Sequence, residues 1–151
     1  MKTKQQGFSM LEVLITILIV SFGLLALAGL QMYGIKSNRT SYYRSIATMQ
    51  ADDLIERMRA NRAYILKSTA NAKQYENVPT TQPSCANSTC TAEQQAKTDA
   101  FIWNSVNKEV LPGGGATVTY DATSGLYDIT LKWKDNPEDD DLKSFSTKAK
   151  P

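Results

Sequence analysis

The sequence predicts an α+β fold, with a long N-terminal helix packed against a small antiparallel sheet. Three observations carry this expectation. Residues 13–35 hold no charged side chain, and no proline interrupts the chain before Pro79. From Tyr42 to Met58 apolar residues recur at three- and four-residue steps, the spacing of one helical face. From Leu126 to Lys134 apolar and polar residues alternate, the spacing of a half-buried strand.

The helix is predicted from about Ser9 to about Asn61. Ser9, with Glu12 three places on, has the spacing of a capping box. Between Val13 and Leu30 the only polar side chains are Thr16 and Ser21, so this part is long and apolar enough to cross a bilayer, which takes ~20 residues. Secretory leaders carry their small-residue cleavage site after the apolar core. Here Gly7 precedes it, so the apolar segment is expected to remain in the mature product. Lys2 and Lys4 before the span favour a cytoplasmic N-terminus and place everything after Ile35 on the outer side. Gly23 and Gly29 read either as points of close helix–helix approach or as the general tolerance of membrane helices for glycine.

Beyond Ile35 the pattern becomes amphipathic. Tyr42, Tyr43, Ile46, Met49, Leu54, Ile55 and Met58 form the predicted packing face. Asp53 with Arg57, and Glu56 with Arg59, are spaced as helix-surface ion pairs, and Arg57, Arg59 and Arg62 are expected to face water.

After Ala63, the stretch from Tyr64 to Tyr75 reads as helix or as irregular loop, and Val78 to Thr91 as loop. Ala92 to Val110 reads as a helix with Ala96, Ala100, Phe101, Trp103, Val106 and Val110 as core candidates. Pro112 to Gly115 breaks the chain, and strands follow at Ala116–Tyr120, Leu126–Lys134 and Leu142–Thr147. Cys85 and Cys90 sit in the loop. An outward location is oxidising, which favours a disulfide over a reactive thiol pair or a metal site, for which no further ligand is near. Asn136 to Asp141 reads as a solvated acidic turn, or as a calcium loop without the spacing of an EF-hand.

Composition narrows the function. Seventeen basic residues against 15 acidic ones give a charge of +2, and without Lys2 and Lys4 the balance is 15 against 15. That is not the basic excess of a nucleic-acid binder. With no histidine in the chain, imidazole bases, histidine metal sites and Ser-His or Cys-His nucleophiles are excluded. No cofactor pattern is present: the glycines after Pro112 lack a following Gly-Lys-Ser/Thr. An enzyme is not expected.

The stretch Gly7-Phe8-Ser9-Met10-Leu11-Glu12-Val13-Leu14-Ile15 resembles the leader and N-terminal segment of type IV pilins and type II secretion pseudopilins. The resemblance implies a leader over residues 1–7, cleavage between Gly7 and Phe8 by a prepilin peptidase, N-methylation of Phe8, and an assembly role for Glu12. It implies a helix over 8–62, with about 8–35 crossing the inner membrane and then lining the filament, and a pilin-like head over 63–151 in the periplasm. Residues Ser21 to Gln31 and Glu56 to Arg62 resemble the PilV family of minor pilins, and Gly29 stands where many major pilins have proline. This implies a minor pilin that primes or caps pilus assembly and supports adhesion and twitching motility. Its partners would be other minor pilins, the major pilin and a pilus-tip adhesin. A type II secretion minor pseudopilin shares the same leader. A DNA-uptake pilin would need a basic, aromatic-bearing patch. A carboxylate such as Glu12 in an apolar environment needs a partner, and the amine of Phe8 on the same or a neighbouring subunit would supply one.

Overall fold

A computed structural model describes residues 7, 9–76, 78, 79, 81, 83, 85, 89–136, 138 and 140–151. Its elements are α1 (Met10–Ala60), α2 (Arg62–Ile65), α3 (Thr69–Ala72), a 3₁₀ turn (Lys73–Tyr75), α4 (Ala92–Val110), β1 (Gly115–Asp121), β2 (Leu126–Lys134) and β3 (Leu142–Ala149). The architecture is α+β, as the sequence predicts. The stretch that reads as helix or loop, Tyr64 to Tyr75, is a succession of single turns. The chain divides into two compact units, Met1–Arg39 and Thr40–Pro151.

In the first unit the apolar part of α1 is not buried against other described residues. Every described residue from Met10 to Arg39 is exposed except the half-buried Gly34. The two polar side chains between Val13 and Leu30 bond back to the helix: Thr16 Oγ1 donates to the Val13 carbonyl at 2.8 Å and Ser21 Oγ to the Ile17 carbonyl at 2.7 Å. No donor among them is left to an apolar solvent, which is the condition for a helix in hydrocarbon.

In the second unit the rest of α1 packs on α4 and the sheet. The buried residues are Ala47, Ala51, Leu54, Ile55 and Met58, with Tyr43 and Ile46 partly buried. This corrects two members of the predicted face: Tyr42 is 62% exposed and Met49 69%. These two lie a heptad apart on the side opposite Ala47 and Leu54. The seam runs through small residues, which a pattern built on large apolar side chains passes over.

Helix α4 runs antiparallel to this part of α1, and three contacts set the alignment. Asn61 Nδ2 donates to the Ala92 carbonyl at 2.8 Å, Arg57 Nη1 meets Asp99 Oδ1 at 3.3 Å, and Trp103 Nε1 donates to the Gln50 carbonyl at 2.7 Å. Moving from Asn61 back to Gln50 on α1 matches moving from Ala92 forward to Trp103 on α4, eleven residues each. A reciprocal cap starts α4: the Gln94 backbone N–H donates to Thr91 Oγ1 at 3.3 Å and the Thr91 N–H to Gln94 Oε1 at 2.9 Å. Of the predicted α4 core, Ala96, Ala100 and Trp103 are buried, whereas Phe101, Val106 and Val110 are only half-buried. Asp99 and Asn107 take their place on the buried face.

The sheet has the order β1-β2-β3, antiparallel throughout. Central β2 supplies the inward row Tyr127, Ile129, Leu131 and Trp133, none more than 2% exposed. Val118 pairs with Ile129, and Leu131 with Phe145. The α4–β1 connection needs Gly114, because a Cβ there would lie 1.8 Å from the Lys132 carbonyl oxygen. The β1–β2 turn ends at Gly125, whose φ of 70° favours glycine. Asp121 braces that turn by accepting from Ser124 Oγ at 2.6 Å and from the Thr123 N–H at 2.9 Å, and these bonds lower its pKa from the ordinary 3.8. At the far end of β2, buried Asp135 accepts from Trp133 Nε1 at 2.9 Å and from Thr40 Oγ1 at 2.6 Å, tying the strand to α1.

The α1–α4 seam carries buried charge. Arg57 is 32% exposed and bridges Asp53 at 2.8 Å to Asp99, so it does not simply face water. The hydrogen bond that it donates to Asp53 is the main cause of its raised pKa. Arg59 pairs with Glu56 on the surface, as its spacing predicts. Burial raises the Asp99 pKa above 3.8, against the opposing help of Gln95 and then Arg57. Burial also pushes the Tyr75 phenol up to about 12.

Two outcomes test this seam in the full chain in detergent. Ala51→Leu is expected to lower unfolding stability by ~1–3 kcal/mol through overpacking, while Met49→Ala changes it by less than ~0.5 kcal/mol; the reverse order would place the seam wrongly. The second outcome concerns pH. A folded-state pKa above the unfolded value means that the contribution of Asp99 to stability is present below the unfolded value and is lost as pH rises through the raised one. Denaturation across that window should show this decline in wild type and a flatter profile in Asp99→Asn.

Candidate assembly segment

The predicted processing and assembly residues lie where α1 begins. Gly7 is exposed, and a Cβ there would meet nothing within 4 Å. The fold of this chain therefore places no demand for glycine at that position. Phe8 and residues 1–6, the remainder of the predicted leader, lie outside the described residues.

The Ser9 carbonyl accepts from the Glu12 and Val13 N–H groups at 3.0 and 3.3 Å, opening the helix. Ser9 Oγ accepts from the Leu11 N–H at 3.3 Å. The predicted capping box is thus replaced by a simple cap: Ser9 Oγ takes the N–H of Leu11 rather than that of Glu12, and no bond from Glu12 back to Ser9 is found among the described residues. The complete box sits at Thr91 and Gln94, whose Thr-x-x-Gln spacing was legible before α4. Glu12 is exposed and has no hydrogen-bond or ion-pair partner among the described residues. Its position in the first turn still suits the positive end of the helix dipole.

The surface beyond Glu12 is apolar all round. Leu14 is 66% exposed and Phe22 67%. The helix that carries them is long and apolar enough to cross a membrane, and none of its apolar window is buried within the chain. A contiguous apolar surface of this extent marks contact with a membrane or with other proteins. Cβ atoms at Gly23 and Gly29 would meet nothing, so contacts inside the chain do not call for these glycines.

Elsewhere, Cys85 and Cys90 are joined in a disulfide with Cα atoms 5.7 Å apart. In the acidic turn, Lys143 Nζ donates to Asp141, and this contact lowers the Asp141 pKa from 3.8. Among the described residues no three His, Cys, Asp or Glu side chains gather as metal ligands. A cleft of about 350 Å³ lies among Ile65, Thr69, Tyr120, Tyr127 and Lys150. The Tyr127 hydroxyl donates to the Ala72 carbonyl at 2.9 Å.

Two family matches follow one another along the chain. Residues 2–28 match the prokaryotic N-terminal methylation motif, and residues 29–101 match the Tt1218-like family, described as type IV pilin Tt1218. The chain belongs to the type IV pilin superfamily. It is a pilin-type structural subunit, and its N-terminal motif implies processing by a prepilin peptidase and assembly with other pilins. No curated protein and no solved structure matches the chain. The second match ends within α4, so the sheet of this pilin lies outside both.

Because the glycines of the apolar helix touch nothing in the subunit, Gly23→Ala and Gly29→Ala are expected to leave the thermal unfolding of the head unchanged. Helicity measured by circular dichroism should not fall, since alanine favours a helix interior over glycine by ~1 kcal/mol. A destabilised head would show that these positions serve the fold of the subunit.

Proposed function

We propose that this pilin is a minor subunit of a type IV pilus, akin to the PilV family, that primes or caps assembly and thereby supports adhesion and twitching motility. The observation that carries the proposal is the apolar helix with one unpartnered acid at its start. In water each uncovered Val, Leu, Ile, Phe or Met side chain of residues 13–35 would forgo ~1.5–3 kcal/mol of burial. The subunit accordingly passes between two apolar environments, the inner membrane and the filament core. Lys2 and Lys4 hold the leader on the cytoplasmic side, leaving the head in the periplasm. The peptidase cuts after Gly7, Phe8 is methylated, and the subunit enters the pilus beside other minor pilins and the major pilin, with a tip adhesin as further partner.

Glu12 sets the register. Within the filament its carboxylate meets the N-terminal amine of Phe8 on a neighbouring subunit, because an isolated charge there costs several kcal/mol. The residues with PilV-like sequence, Ser21 to Gln31 and Glu56 to Arg62, favour a minor over a major role.

Deleting the protein should cut the number of surface pili several-fold, with wild type restoring them, and sheared filaments should contain the chain far below the level of the major pilin. Glu12→Ala should stay in the membrane fraction and be depleted from sheared filaments. Equal incorporation of Glu12→Ala would contradict the pairing role, and unchanged piliation in the deletion would contradict the priming role.

A further inference from the structure

We infer that the open edge of β3 is a docking surface for an extended, acidic segment of a partner protein, which adds a fourth strand to the sheet. The exclusion of a second copy of this chain as the occupant rests on the membrane-anchored reading of α1.

The two edges of the sheet are unlike. Along a central antiparallel strand the backbone groups of successive residues bond alternately to one neighbour and the other. The Lys134 N–H donates to the Pro112 carbonyl at 2.9 Å, on the β1 side, so even-numbered residues of β2 bond towards β1 and odd-numbered ones towards β3. In the register of β2 and β3, Lys143, Phe145, Thr147 and Ala149 are then the bonded partners of Trp133, Leu131, Ile129 and Tyr127. The N–H and C=O groups of Leu142, Ser144, Ser146 and Lys148 point outward in the plane of the sheet, and no bond takes them up among the described residues. On β1 the Tyr120 N–H points outward in the same way, but there it donates to the Glu76 carboxylate beside the 3₁₀ turn. One edge is thus closed from within the chain and the other is open. An open row of this kind is a template for a further strand.

Cover and charge define the occupant. The inward row of β2 is at most 2% exposed, whereas Phe145 beside it on β3 is half-buried. An added strand with an apolar residue facing Phe145 completes the cover. From Leu142 to Pro151 there are three lysines and no acidic side chain. The Lys148 side chain is 69% exposed, with Asp128 3.9 Å away, and Lys150 is exposed. Lysines along an edge repel strands of like charge and admit one that carries acids. A second copy of the chain fits poorly. Parallel pairing of β3 with β3 sets lysine beside lysine. Antiparallel pairing relates the copies by an axis normal to the sheet, so the α1 segments packed on the two sheets run in opposite directions. Two copies anchored in one membrane enter it by the same end.

The probe is the peptide Glu-Val-Glu-Val-Thr-Val-Thr-Val-Thr, blocked at both ends. It is titrated into the full chain in detergent micelles and followed by the backbone amide resonances. Shifts are expected along β3, with amide exchange slowed at Ser144, Ser146 and Lys148. The same peptide with lysine in place of glutamate should bind about ten-fold more weakly, two surface charge pairs having turned from attraction to repulsion. Ser146→Pro removes one outward N–H, which an edge strand tolerates, so it should keep the thermal unfolding of wild type and lose the peptide. Lys148→Glu with Lys150→Glu leaves the backbone untouched and should reverse the preference between the two peptides. No binding of the acidic peptide, shifts confined to another surface, equal affinity for both peptides, or binding that survives in Ser146→Pro overturns the inference. Sedimentation of wild type as a dimer that Ser146→Pro dissociates would assign the edge to a second copy and overturns it too. An alkaline carbonate wash of membranes separates the two levels. A chain released by the wash sinks the membrane reading, while acidic-peptide binding by a monomer still upholds this inference. A retained chain that ignores the peptide sinks the inference alone.

Discussion

A helix with apolar residues on every side must be covered, and nothing among the described residues covers it. That constraint governs the rest of the molecule. Residues 13–35 are apolar around the full circumference, so no single groove on a partner domain could bury them. A lipid bilayer or a ring of neighbouring helices can, and both are environments in which the backbone must satisfy its own hydrogen bonds. Thr16 and Ser21 obey the same rule by donating to the carbonyls one turn back. Glu12 is the exception, an acid with no partner among the described residues, placed where the helix dipole tolerates it.

The second unit meets the opposite demand. Here the helix shows water one face and offers the other to α4 and β2. Small residues at Ala47, Ala51, Ala96 and Ala100 lie along the seam, which Trp103 and Met58 fill. The indole of Trp103 donates to a mid-helix carbonyl, and Arg57 reaches across to a buried carboxylate. A buried charge pair of this kind specifies alignment more than it adds stability. Asp135 does the same for β2, where one carboxylate holds both the Trp133 indole and the Thr40 hydroxyl.

Long-range order in the sequence was legible. The uncharged run, the absence of proline and the alternation of β2 led to the long helix and the central strand. The glycines after Pro112 and the Thr123-Ser124-Gly125 group marked the two turns that frame β1. What was not legible was which side of α1 faces inward: Tyr42 and Met49 look like core by chemistry, and only the position of α4 turns them outward. Asp99, Asn107 and Asp135 were missed for a related reason. Burial of a polar side chain is decided by a partner distant in sequence, such as Arg57 for Asp99 or Thr40 for Asp135. At the assembly segment the motif was plain in the residues. The simple cap at Ser9 shows that the spacing of a capping box does not ensure its bonds.

The account holds that Gly7 and Phe8 form a processing junction and that the apolar helix survives it. The most direct measurement is the mass and sequence of the N-terminal peptide of the protein recovered from cells with an active prepilin peptidase. The account predicts a chain beginning at a methylated Phe8, with α1 intact behind it. A chain still carrying Met1, or one cut beyond Leu30 so that the apolar helix is lost, would contradict it.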